Sequence, residues 1–156
     1  MTVPPPPAAL VTIDAVDVVL GGATVLEAIE FELREGQSWA VLGGNGAGKS
    51  TFLKLLRGDV WPHPRSRGTR LYHFSGGPSE SHIGAREQMP LVSPELQDTY
   101  VRRDWDVPVR EVVRSGFRDS VWVHQPLSDD EERRVDEALA LVGLEDARER
   151  SILDLS

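Results

Sequence analysis

A glycine-rich segment at residues 43–50 constrains the fold of this chain more than any other feature. It reads Gly-Gly-Asn-Gly-Ala-Gly-Lys-Ser and fits the pattern G-x-x-x-x-G-K-[ST] in full. The short apolar run Trp39 to Leu42 leads into it, and apolar side chains at helical spacing follow from Lys49 to Arg57. These neighbours predict a strand buried on both faces, then a loop, then a helix that ends at Gly58.

The residue types within the segment predict phosphate binding. Its glycines permit turns that most residues cannot adopt, so N–H groups from about Asn45 to Thr51 can form an anion nest at a helix N-terminus. Lys49 supplies a positive charge to the β- and γ-phosphates, and the Ser50 hydroxyl is the natural protein ligand for Mg²⁺. Thr51 adds a donor near the α-phosphate. We therefore predict a P-loop that binds ATP and Mg²⁺. Its residues are Gly43, Gly44, Asn45, Gly46, Ala47, Gly48, Lys49, Ser50 and Thr51.

Antiparallel strands are predicted upstream of the loop. Apolar residues alternate from Val11 to Leu20 and again from Ile29 to Leu33, with Gly21-Gly22 between the two runs. Such alternation suits antiparallel strands that have one solvated face. Arg34 to Gln37 is predicted to form a turn.

Two helices are predicted downstream. The first starts at Val109 and ends near Gly116. The second starts at a capping box formed by Ser128 and Glu131, and it continues to Val142.

Charge and composition argue against several classes of protein. The net charge of −8 argues against a broad nucleic-acid footprint. A local basic cluster of Arg65, Arg67 and Arg70 lies among Pro and Gly, so we interpret it as a solvated loop before one short strand, Arg70 to Phe74. There is no cysteine, the four histidines lack ligand-like spacing, and no stretch approaches the ~18 apolar residues that span a bilayer.

The loop and its surroundings resemble those of ABC-type ATPases. Residues 43–59 (GGNGAGKSTFLKLLRGD) are similar to the Walker A motif of that family, and the turn at 34–37 is similar to the entry to its P-loop strand. Residues 91–97 lie where the family carries its Q-loop, residues 109–116 resemble the start of its helical subdomain, and residues 153–156 resemble the approach to its signature. Within the family, the pattern is most similar to single-domain transport ATPases of the molybdate and iron-complex kind.

This resemblance implies an α/β fold, a P-loop NTPase with an antiparallel β-subdomain at its N-terminus and the start of a helical subdomain at about 107–156. Residues 1–9 are predicted to be a flexible Pro-rich tail. Residues 10–156 are predicted to be an ABC ATPase nucleotide-binding domain, truncated at the signature and therefore incomplete at the C-terminus. The family's central parallel sheet takes strands from beyond that point, so we expect the run at 39–42 to expose apolar surface.

The resemblance also implies a function. It is that of an ATP-binding subunit of an ABC transporter, which couples ATP binding and hydrolysis to transport. The implied partners are a membrane permease, facing the helical region from about 107 to 144, and a second copy in a head-to-tail homodimer; no nucleic acid is expected. The implied location is cytoplasmic, peripheral to the inner face of the membrane.

The sequence departs from the family pattern at three places. Pro94 stands where the family has the glutamine that senses the γ-phosphate and Mg²⁺, so either Gln97 takes that role or the role is lost. Leu20 falls near the position of the aromatic residue that stacks on adenine, which predicts a looser hold on the base. The third departure is that the sequence contains no complete signature, no later apolar run ending in Asp-Glu and no switch histidine, so Gln97 is the one candidate catalytic residue. Hydrolysis by these residues alone stays open.

Three other interpretations also stay open. A soluble ABC-family ATPase is one, although it would usually have paired domains or long inserts. A P-loop kinase of small metabolites is another, although such kinases generally place the loop nearer the start of the chain. The third is a piece of a split gene that only binds nucleotide.

Overall fold

The computed structural model describes residues 7–74, 77–123 and 125–155, without the side chain of Gln97. Most of the predicted tail at 1–9, together with His124 and Ser156, therefore lies outside the described residues. The chain divides into two compact units, the first ending at Met89 and the second beginning at Pro90. The elements are β1 (Ala9–Leu20), β2 (Ala23–Arg34), α1 (Lys49–Arg57), β3 (Arg70–Tyr72), α2 (Ala85–Gln88), α3 (Pro94–Arg102), α4 (Val109–Ser115) and α5 (Asp129–Leu141), with short 3₁₀ helices at Gly116–Arg118, Glu145–Ala147 and Ile152–Leu155.

The first unit contains a three-stranded antiparallel sheet in the order β2-β1-β3. β1 and β2 form a hairpin, and both turn residues, Gly21 and Gly22, have positive φ (58° and 83°). A hairpin turn of this kind favours glycine because its twist matches that of the strands. The two predicted antiparallel strands are confirmed, and β2 is longer than the alternating run at 29–33 that predicted it.

A bulge shifts the buried face of β1 in the middle of the strand. Val11 and Ile13 are buried at odd positions and Val16 and Val18 at even positions, yet all four belong to one core. Ala15 lies between the two pairs with a left-handed φ of 44°, and the register with β2 shifts there. Because the bulge lets the alternation change parity, the whole strand keeps its apolar side chains on the core.

Helix α1 packs on this core and ends where the sequence predicts. Leu55 is fully buried. Gly58 adopts a left-handed φ of 94°, and its N–H bonds the carbonyls of Lys54 and Leu55 at 3.0 and 3.3 Å. A glycine at this position accepts the left-handed conformation that satisfies the last carbonyls of a helix.

The short strand predicted to start at Arg70 is confirmed as β3, but Arg70 itself is not solvated as the sequence predicts. Only 2% of it is exposed, and its guanidinium lies 5.6 Å from the ring centre of Trp61 and 5.1 Å from that of Tyr72. Its Nη1 donates to the carbonyls of Leu55 (2.5 Å) and Val60 (2.7 Å), so it secures the C-terminal end of α1. Burial lowers the pKa of Arg70. The prediction was wrong because these partners are distant in sequence.

Residues 39–42 do not form the predicted buried strand. All four are exposed, Trp39 by 59% and Leu42 by 90%. None of the described strands pairs with them. A strand buried on both faces needs hydrogen-bonded neighbours and covering layers, and the sheet of the first unit provides neither. The apolar surface of this run is exposed, as the sequence leads us to expect.

In the second unit, α4 pairs with α5. Val109, Val135 and Leu139 are buried and form its core. Arg110 of α4 bonds Glu132 of α5 at 2.9 Å, which closes the polar side of the pair.

Both predicted helices of this unit are confirmed. At the start of α5, Ser128 and Glu131 form the predicted capping box. Helices α2 and α3 are not predicted; α3 starts at Pro94, where the missing N–H loses no helical bond. Across the described residues, no helix combines the length and the apolar character that a bilayer crossing needs.

Candidate nucleotide-binding site

The glycine-rich loop adopts the conformations that its glycines make possible. Gly46 and Gly48 have φ of 79° and 86°, and α1 starts immediately afterwards at Lys49. Non-glycine residues are strained in this left-handed region. Residues 43–47 are exposed, and Gly48 and Lys49 are partly buried. The loop is therefore an accessible turn at the N-terminus of a nine-residue helix.

Gly48 also fixes the loop against the sheet. A Cβ atom added to it would lie 2.9 Å from Leu26 Cδ2 and 3.2 Å from the carbonyl oxygen of Val25. Both neighbours belong to β2, so the absence of a side chain lets the loop sit directly on the hairpin. Sequence reasoning missed these two positioning residues, since nothing in a strand pattern shows which residue will meet a distant loop.

The start of α1 leaves backbone donors without partners. The N–H groups of Gly46, Gly48, Lys49 and Ser50 have no acceptor among the described residues. No side chain caps the helix, and its first turn holds no acidic residue. Free donors at the positive end of a helix attract an anion. This arrangement fits a phosphate group, and it would not fit a cation.

Lys49 folds back over the loop. Its Nζ donates to the carbonyls of Gly43 (2.8 Å) and Gly44 (2.7 Å). The ammonium group therefore lies at the rim of the same turn that presents the free donors. A lysine on a four-carbon stem can exchange such contacts for a phosphate oxygen, since it acts as a mobile point charge.

Any metal at this loop would depend on Ser50 and on the ligand itself. Ser50 is exposed in the first turn of α1. Within the described part of the chain, no three His, Asp or Glu residues are grouped closely enough to hold a metal ion. A hydroxyl with phosphate oxygens matches the hard-oxygen ligands that Mg²⁺ prefers. Ser50 therefore fits the metal role predicted for it, as a partner to phosphate.

Pro94 and Gln97 lie in the second unit. Pro94 is the first residue of α3 and Gln97 is part of the same helix. The side chain of Gln97 lies outside the described residues, so its role as a substitute for the Q-loop glutamine stays a prediction.

An aromatic cluster joins the segment before the loop to the helix after it. Phe31 of β2 has its ring centre 5.1 Å from those of Trp39 and Phe52, in edge-to-face geometry with both. The indole N–H of Trp39 donates to the side-chain carbonyl of Gln37 (3.2 Å). Edge-to-face pairs add about 0.5–1.5 kcal/mol beyond area burial. Trp39 thus contacts Phe31 with one side of its ring, whereas residues 40–42 have no such contact and are exposed.

Together, the hairpin sheet, the glycine loop and the uncapped helix define an N-terminal part of a P-loop NTPase fold. A family model described as ABC transporter matches residues 26–156, so this chain belongs to the ABC transporter family.

Several curated proteins are similar over most of the chain. The ABC transporter ATP-binding protein ModF of Escherichia coli (strain K12) is 31% identical over 78% of this chain and 24% of its own length. The hemin import ATP-binding protein HmuV is 37% identical in Hydrogenovibrio crunogenus and 36% in Streptomyces coelicolor, over 86% and 88% of this chain. This chain spans about half the length of the HmuV proteins, 47% in both cases, and less of ModF.

A solved structure shows the same fold. An ATP-binding cassette of an ABC transporter aligns with a TM-score of 0.62 at 13% identity, covering 96% of this chain and 60% of that one. The predicted α/β P-loop NTPase class and the ABC resemblance are thereby confirmed.

Proposed function

We propose that residues 43–51 bind the phosphates of ATP together with Mg²⁺. The observation that carries this proposal is the uncapped start of α1. Backbone N–H groups there have no acceptor, Gly46 and Gly48 hold the loop in left-handed conformations, and Lys49 lies in the same turn. Binding would turn the Lys49 ammonium from the carbonyls of Gly43 and Gly44 toward the β- and γ-phosphates. The N–H groups after Gly46 would cradle the oxygens, and Ser50 would contribute its hydroxyl to the metal.

We further propose that the protein is an ATP-binding subunit of an ABC transporter, working with a membrane permease. Support comes from the family match and from relatives named for hemin import. An iron-containing cargo such as hemin is the class those names favour. Hydrolysis, the head-to-tail dimer and location at the inner face of the membrane are proposed for a protein of the relatives' full length. We also propose that residues 10–156 form the nucleotide-binding domain of this protein.

Lysine replacement tests the binding site. The chain has only two lysines, Lys49 in the loop and Lys54 later in the same helix. We expect Lys49→Ala to weaken ATP·Mg²⁺ binding by about tenfold or more, since charge-assisted bonds to phosphate contribute about 1.5–3 kcal/mol. Lys54→Ala removes the same charge away from the loop and should change affinity by less than about twofold. Isothermal titration calorimetry measures both, and equal losses in the two variants would contradict the site.

Membrane recruitment separates the transporter from the soluble alternative. We expect the native protein to co-sediment with membranes that contain its permease, and not with ribosomes. Co-sedimentation with ribosomes alone would favour a soluble ABC-family ATPase instead.

A further inference from the structure

The first unit contains a cavity of about 230 Å³ that opens to solvent beside β3. Its lining comes from the loop at 61–69, from Arg70 at the start of β3 and from Glu80. None of residues 43–51, all of which the structure describes, belongs to this lining. Sites for drug-sized ligands occupy roughly 300–1,000 Å³, so this cavity has room for a small molecule only.

The loop that lines the cavity is fixed on β1. The N–H of His63 donates to the carbonyl of Asp17 (2.7 Å), and the N–H of Asp17 donates to the hydroxyl of Ser66 (2.9 Å). A Cβ atom added to Gly68 would overlap the carbonyl oxygen of Asp14, so only glycine lets the loop lie this close to the strand. The cavity is therefore formed before any ligand enters.

Arg70 brings into the cavity wall a positive charge that has no counterion. Its contacts are two backbone carbonyls and two aromatic rings, all of them neutral. Its Nε is buried without an acceptor, and no carboxylate among the described residues pairs with it. Asp59 is the acid whose charge acts on Arg70, but Arg57 (2.7 Å) and Arg86 (3.2 Å) already bind it. Since a buried charge is costly unless it is paired, Arg70 favours a negative group in the cavity.

Gly68 and Thr69 supply donors directly before Arg70. Both residues line the cavity, and their N–H groups have no acceptor within the described part of the chain. Thr69 is also exposed, so its hydroxyl is accessible to a ligand. Hydrogen bonds to a charged group are about twice as strong as those between neutral groups. These donors can hold an anion at the surface while Arg70 supplies the charge from beneath.

The remaining lining is apolar on one side and acidic at one point. Trp61 is 59% exposed, and Pro62 lies next to it in the lining. The two side chains are rigid, and they present a surface suited to a flat organic group. Glu80 is exposed in the same lining, and its negative charge disfavours a ligand that carries two. A single negative charge on a flat, largely apolar molecule matches this combination.

We propose that this cavity binds a small aromatic monocarboxylate, with its acid group against Gly68, Thr69 and Arg70 and its ring on Trp61 and Pro62. The carboxylate then provides the counterion that Arg70 lacks. This site is separate from the proposed nucleotide site, and the inference does not depend on ATP binding.

Fluorine NMR titration of the whole chain with para-fluorobenzoate tests the inference. We expect saturable binding that is about tenfold or more tighter than that of para-fluorobenzamide, which has the same shape without the charge. A large excess of ATP·Mg²⁺, which would occupy the phosphate loop, should not displace the acid. Equal binding of acid and amide would overturn the inference. Displacement of the acid by ATP·Mg²⁺ would also overturn it, because the acid would then lie in the phosphate loop.

Two surface variants test the cavity without removing the buried Arg70, whose loss would also free the end of α1. Trp61→Ala should weaken binding of para-fluorobenzoate by roughly 2- to 12-fold, and Glu80→Gln should strengthen it by up to about fivefold. Trp39→Ala and Glu27→Gln are the matched controls: Trp39 is also 59% exposed, Glu27 is exposed on β2, and neither lines the cavity. Both controls should leave the affinity unchanged. Equal effects in a variant and its control would overturn the inference.

Discussion

The starts of α1 and α5 solve the same physical problem in opposite ways. Every helix begins with four N–H groups that lack an internal acceptor. At α5, the Ser128 hydroxyl accepts from the Glu131 N–H (3.3 Å), the Glu131 carboxylate accepts from the Ser128 N–H (2.9 Å), and the first turn holds four acidic residues. At α1, a left-handed glycine precedes the helix, with no capping side chain and no acid.

The difference shows which helix start is built for a ligand. α5 satisfies its own donors and needs nothing more. α1 is held by other means: Leu55 in the core, Gly58 at its end, and the bond from Arg70 to the Leu55 carbonyl in its last turn. Because the rest of the helix is secured, its first turn can stay open. An uncapped start on a well-anchored helix is therefore a stronger indication of anion binding than either feature alone.

The largest expected effect on ATP affinity comes from adding a side chain to Gly48, the last loop residue before α1. Gly48→Ala puts a side chain at φ 86° and within 2.9 Å of Leu26 Cδ2. Strain of about 1–3 kcal/mol should displace the loop and weaken ATP·Mg²⁺ binding by roughly 5- to 150-fold. Gly36→Ala is the control, since Gly36 has a similar left-handed φ of 71° outside the loop and an added Cβ there has no neighbour within 4 Å. Calorimetric affinities that fall equally in both variants would contradict the role of Gly48.

A smaller effect on ATP affinity is expected from adding an acidic residue to the first turn of α1, as the first turn of α5 has. Ser50→Asp places a carboxylate in the first turn, which should stabilise the chain against urea by about 0.3–1 kcal/mol. The same charge should repel phosphate, so ATP affinity falls by about tenfold while stability rises. Ser50→Ala is the companion: it removes the proposed metal ligand without adding charge, so it should weaken binding only when Mg²⁺ is present. Unchanged ATP binding in Ser50→Asp would show that phosphate does not sit at this helix start.

Local signals explain what the sequence predicts well. α1 was predicted with its observed bounds because the glycine pattern, the helical spacing and Gly58 all lie within one short stretch. The capping box of α5 depends on two residues three positions apart. The hairpin follows from alternation on both sides of Gly21-Gly22.

Features that depend on distant partners were missed. The run at 39–42 has the composition of a buried strand, but its conformation depends on neighbours that the sheet of the first unit does not supply. Arg70 lies in a Gly- and Pro-rich stretch typical of solvated loops, and only its contacts with Leu55 and Val60 reveal its structural role. The seating of Gly48 on Leu26 has no sequence signal at all.

The smallest expected effect concerns the capped helix start and depends on pH. Two bonds from Arg118 (2.7 and 3.1 Å), followed by those from Ser128, lower the pKa of Glu131 from 4.5 to about 2. A lowered folded-state pKa contributes stability above the unfolded value, and that contribution is lost as pH falls toward about 2. The difference in urea midpoint between wild type and Glu131→Gln should therefore be largest above about pH 5 and should shrink to zero as the pH falls toward about 2. Arg118→Met should raise the pKa of Glu131 toward its ordinary value, so the stability difference should disappear at a higher pH. ATP affinity should stay unchanged. A constant gap across this range would mean that the α5 cap does not depend on the charge of Glu131.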